Sequence, residues 1–74
     1  MKTEKRSYTI REDGDALLVE ISLPVTSISF GLFRDLSRLS YASQDVDDGS
    51  IFFMTPDNRT EAEKLLSGAL FEPR

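Results

Sequence analysis

The chain has 74 residues, with 13 acidic and 9 basic side chains giving a formal net charge of −4, and it contains no Cys, His or Trp. A chain of this length supports one domain with a small core, and without Cys or His it has neither a disulfide nor a conventional zinc site to reinforce that core. The acidic balance argues against general nucleic-acid binding, which draws on Lys and Arg at phosphates, and no apolar run approaches the roughly 20 residues of a membrane span.

The opening residues, Met1 to Tyr8, are polar and lack the apolar centre of a signal peptide, so the expected setting is the cytoplasm, with no membrane attachment. Residues 5 to 23 then alternate. Tyr8 and Ile10 share one parity before Asp13-Gly14, and Leu17, Val19, Ile21 and Leu23 share one after it. This predicts a hairpin. With Asp13-Gly14 as a two-residue loop, Ile10 faces Leu17 and Tyr8 faces Val19, while Thr9, Arg11, Leu18, Glu20 and Ser22 lie on the opposite side.

Pro24 lacks the amide of a continuing ladder and ends the second strand. Beyond it, Val25, Ile28, Leu32, Leu36 and Leu39 recur at steps of three and four, with Phe33 at the margin, and predict a helix capped by Thr26, Ser27 or Ser29. Gly31 weakens the first turn of that helix.

The plan repeats around Asp48-Gly49. This loop pairs Val46 with Ile51 and Gln44 with Phe53 on one face, and Asp45 with Phe52 and Ser43 with Met54 on the other. Pro56 ends the strand, and Asn58 with Glu61, or Thr60 with Glu63, forms a capping box. Ala62, Leu65, Leu66, Ala69 and Leu70 make the second helical stripe, and Gly68 is a candidate for the residue that ends the helix.

The expected architecture is therefore α+β: a single two-layer ββαββα domain, two hairpin-plus-helix units at about 5–40 and 41–71, with a four-stranded antiparallel sheet and both helices on one face.

No motif in the chain specifies a reaction. The serines suit helix caps, Lys64 pairs with Glu61 on a helix surface, and no spacing sets a nucleophile beside an orienting base, so the expectation is a non-enzyme with no cofactor. The run Asp45 to Ile51 has calcium-loop composition, but with Gly49 at the sixth position the first, third and twelfth positions fall on Gln44, Val46 and Thr55, so no metal is expected. Arg34, Arg38 and the basic N-terminus are diluted by neighbouring acids, and the aromatic Tyr41 and Phe52 lack the basic surround of an RNA platform.

What the pattern does leave is an uncovered surface. If the helices cover the side of Tyr8, Leu17, Val19, Ile51 and Phe53, then Leu18, Tyr41, Phe52 and Met54 point away from them, and Phe30 lies off the stripe of its helix. These five residues, rimmed by Asp45, Asp47 and Asp48, form the expected partner-binding set. The function this implies is a small acidic protein-binding module, an inhibitor or adaptor that occludes a larger partner with a basic surface. The alternative is a homo-oligomeric structural protein joined through the same face.

Overall fold

A computed structural model describes residues 6–47 and 49–73. In chain order the elements are β1 (Ser7–Asp13), β2 (Ala16–Ile21), α1 (Phe30–Leu39), β3 (Ser40–Val46), β4 (Gly49–Met54), α2 (Arg59–Gly68) and β5 (Glu72–Pro73). Single turns of 3-10 helix, Val25–Ser27 and Pro56–Asn58, precede α1 and α2.

The sheet is five-stranded, in the order β3-β4-β2-β1-β5, and it is mixed because β5 runs parallel to β1. The expected four-stranded antiparallel sheet is corrected in this detail. The added strand is two residues long, too short for any periodicity to announce it, and it follows from how α2 ends. The amides of Leu70 and Phe71 donate to the carbonyls of Ser67 and Leu66, the double bond of a Schellman turn. That turn drops Phe71 into the core and brings the Glu72 amide within 3.0 Å of the Arg6 carbonyl.

Both hairpins turn one residue away from the expected place. In the first, Asp13 pairs with Ala16, so Gly14 and Asp15 form the loop and Ile10 faces Val19 while Tyr8 faces Ile21. Gly14 has φ +64° and Asp15 is not at positive φ, the pattern of a type II′ turn, which asks for Gly first. In the second, Val46 pairs with Gly49, so the loop is Asp47 and Asp48; Asp48 lies outside the described residues. A bulge between Ser40 and Ala42 places Tyr41 as the extra residue of β3.

Helix α1 starts where Ser29 accepts a 3.2 Å bond from the Leu32 amide, one of the three candidate caps. The expected Asn58 capping box is absent. Asn58 makes no capping bond and instead donates from Nδ2 to the Leu39 carbonyl at 2.9 Å, tying the start of α2 to the end of α1.

The core lies between one sheet face and the two helices. Leu17, Val19 and Ile21 of β2 and Phe52 and Met54 of β4 meet Leu32 and Leu36 of α1 and Ala62 and Leu66 of α2, all buried in one cluster. Phe33 sets its ring 6.5 Å from that of Phe52. Arg6 clamps the far end, donating to the Ala69 carbonyl at 3.1 Å and lying over the Phe71 ring at 5.9 Å.

Gly68 is the last residue of α2 rather than its terminator. The residue at the left-handed position is Leu70, with φ 69° and 77% of its surface exposed. A Cβ is disfavoured there and an exposed leucine gains nothing by burial. Leu70→Gly is therefore expected to stabilise the fold by about 1 kcal/mol, raising the melting temperature by roughly 4–8 °C. An unchanged or lowered melting temperature would refute this reading.

Candidate protein-interaction surface

The pairing of β2 with β4 sets which side chains share a face. Leu17, Val19 and Ile21 stand opposite Met54, Phe52 and Ser50, and all six are buried beneath the helices. The intervening residues point the other way by the two-residue period of a strand. On that helix-free face Leu18 stands opposite Phe53, and Phe53 opposite Ala42; one row along, Glu20 stands opposite Ile51, and Ile51 opposite Gln44.

Phe52 and Met54, expected on the helix-free face, are 0% exposed. Their places there are taken by Ile51 and Phe53, which the pattern had put under the helices. Leu18 is on the helix-free face, half-buried among its neighbours. The result is an apolar strip of Leu18, Ile51 and Phe53 with Val46 at its β3 margin. Gln44 and the Arg11–Glu20 ion pair, 3.9 Å apart, border it.

The remaining expected site residues are dispersed. Phe30 is 75% exposed at the first position of α1, and Tyr41 is 64% exposed at the β3 bulge. Asp45 shares the helix side of β3 with Ser43, and its Oδ1 lies 3.3 Å from the Ser50 hydroxyl, which stands at the same distance from the Leu23 carbonyl and donates to one of them at a time. Asp47 is exposed at the hairpin tip, and Asp48 lies outside the described residues. Asp45 and Asp47 therefore do not rim the apolar strip. Asp45 is on the reverse of the sheet, and Asp47 is at its end.

The helices bound a second concavity. Asp35, Arg38 and Leu39 of α1 face Glu61 and Leu65 of α2 across an open groove of about 340 Å³. At the other end, Ile28, Ser29 and Leu32 lie with Ala69 and Phe71 around a smaller space of about 90 Å³, so the helices run antiparallel. The larger groove presents the carboxylates of Asp35 and Glu61 and the guanidinium of Arg38 to solvent. No group of three or more metal-ligating side chains forms among the described residues, and no described helix is long and apolar enough to cross a membrane.

Sequence reading missed Ile51 and Phe53, though a signal for them was present. The run Ile51 to Met54 is apolar at four consecutive positions, so whichever parity faces the helices, the other puts two large apolar side chains on the open face. Comparison with protein families, with characterised proteins and with solved structures finds no match to this chain.

Proposed function

We infer that the chain is a small, non-enzymatic protein-binding module that acts by occlusion, docking on a larger partner through the helix-free face of its sheet. The observation that carries this reading is the alignment of Leu18, Phe53 and Ile51, all half-buried, across two interior strands on the sheet face opposite the helices. Apolar side chains gathered on a flat face mark interfaces, whereas single exposed ones such as Phe30 need no explanation. The surrounding Gln44, Thr9 and the Arg11–Glu20 pair supply a polar rim of the usual kind. The net negative charge favours encounter with a basic partner and repels nucleic acid.

The test is capture from host extract with three baits of matched circular dichroism: the unmodified chain, Phe53→Lys and Phe30→Asp. A partner retained by the unmodified chain and by Phe30→Asp, and lost from Phe53→Lys, is the expected result. A partner that survives Phe53→Lys, or that leaves with Phe30→Asp, would place docking elsewhere.

A further inference from the structure

The two concavities of the helical layer differ in charge. In the larger groove the Arg38 guanidinium shares the walls with the carboxylates of Asp35 and Glu61. Around the smaller space, of about 90 Å³, Arg6 is the only charged side chain among the described residues, in a chain whose net charge is −4. Its apolar walls are Leu23, Ile28, Leu32, Ala69 and Phe71, and Leu23, Leu32 and Phe71 are buried. Ser27 and Ser29 complete the lining.

Arg6 is held here from two sides. Its Nη1 donates to the Ala69 carbonyl at 3.1 Å, and its Cζ lies over the Phe71 ring, 5.9 Å from the centroid. A guanidinium carries five N–H donors, and among the described residues Arg6 forms no ion pair. Donors therefore remain for an acid from outside. The Ser29 hydroxyl, which accepts from the Leu32 amide, keeps its own hydrogen to donate.

Leu70 is an independent pointer to the same place. It stands between two wall residues, Ala69 and Phe71, and holds φ 69° with 77% of its surface exposed. A strained backbone that carries an exposed apolar side chain is a cost to the free protein, and such costs gather at ligand sites. A ligand emerging from the space beside it gives Leu70 the cover that the free chain does not.

We propose that this space binds a carboxylate joined to a small branched apolar group, such as the last residue of a polypeptide ending in valine or leucine. The apolar group enters between the start of α1 and the end of α2, and the carboxylate pairs with Arg6. A cavity of about 150 Å³ admits the six carbons of benzene, so this one takes about three or four carbons, the size of such a side chain. An inorganic anion would leave the apolar walls bare, and a hydrocarbon would leave the guanidinium unpaired. The site lies on the helix side of the sheet and does not rest on the docking role of Leu18, Ile51 and Phe53.

The experiment is a titration followed by amide resonances, with acetyl-glycyl-glycyl-valine, the same peptide amidated at its C-terminus, and isovalerate as probes. The free-acid peptide is expected to shift the Ile28, Leu32, Ala69 and Phe71 amides with a dissociation constant of about 1 mM or below, and the amidated one to bind about tenfold more weakly. Isovalerate binding as tightly as the peptide assigns the site to small branched acids; weaker binding assigns it to a chain terminus. Arg6→Gln should weaken the acid about tenfold and leave the amide unchanged. Leu70→Gly, although it raises the melting temperature, should weaken the free-acid peptide by about threefold, a loss that a merely structural role would not produce. The contrast of acid with amide needs no variant, so it holds even where Arg6→Gln loosens the turn. Absence of binding by both acids, equal binding of acid and amide, or unchanged affinity in Leu70→Gly would overturn the proposal.

Discussion

Phe52→Ala is expected to cost about 3–5 kcal/mol, as deletion of a buried phenylalanine does when its surroundings relax only in part. The ring is fully buried, lies opposite Val19 on the central strand and meets Phe33 of α1. A domain of this length holds about 4–11 kcal/mol in all, so the variant would lose a large share of its stability. Phe53→Ala, one residue on, removes an equally large but half-buried side chain from the helix-free face and should cost about 1–2 kcal/mol. Urea titrations of the two variants check the contrast. Equal losses would mean that the sheet lacks the burial difference described.

Gly49→Ala is the second large effect. A Cβ at Gly49 would run into the Ile21 carbonyl, which is main chain and cannot swing aside. The next residue, Ser50, is buried with its hydroxyl against the Leu23 carbonyl. Two small residues therefore sit where β4 begins beneath the exit of β2. Overpacking here should cost about 1–3 kcal/mol. Gly31→Ala is the control, because a Cβ there meets nothing within 4 Å, and it should stabilise α1 by up to about 1 kcal/mol. If thermal melts show Gly49→Ala to be as harmless as Gly31→Ala, the close approach of β4 to β2 is refuted.

The first hairpin was legible because its pattern is redundant. Leu17, Val19 and Ile21 recur at every second position, and moving the turn by one residue shifts partners by two, which preserves the face of every side chain. The two helices were legible in Leu32, Leu36, Ala62 and Leu66 for the same reason of periodicity. The second hairpin has no such redundancy. Its residues sort into the same two sets under either turn, but Ile51 to Met54 are all apolar, so alternation does not say which set lies inward. The reading that set Ile51 and Phe53 under the helices left Asp45 with Phe52 and Ser43 with Met54 on the outer face. In the structure β3 is an edge strand, and its polarity reports an exposed edge rather than a solvent face.

What fixes the inward set is the lateral pairing of β2 with β4, which aligns Phe52 with Val19 and Met54 with Leu17. That is a contact between hairpins, invisible to a reading that takes each hairpin by itself. Leu18 could be placed because it breaks the alternation of its own strand. Ile51 and Phe53 could not, and Leu70 at a left-handed position runs against every local preference for that site.

The orientation of β4 is the claim on which the docking surface depends, and because the chain has no cysteine, single thiols can be placed to read it. Met54→Cys and Phe53→Cys would be reacted with a thiol reagent under native conditions, each rate referred to that of the same variant unfolded in urea. Position 53 is half-buried and position 54 fully buried, so the Phe53→Cys thiol should react orders of magnitude faster than the Met54→Cys thiol, each relative to its unfolded rate. Rapid labelling of Met54→Cys in the folded state, with Phe53→Cys protected, would contradict the account.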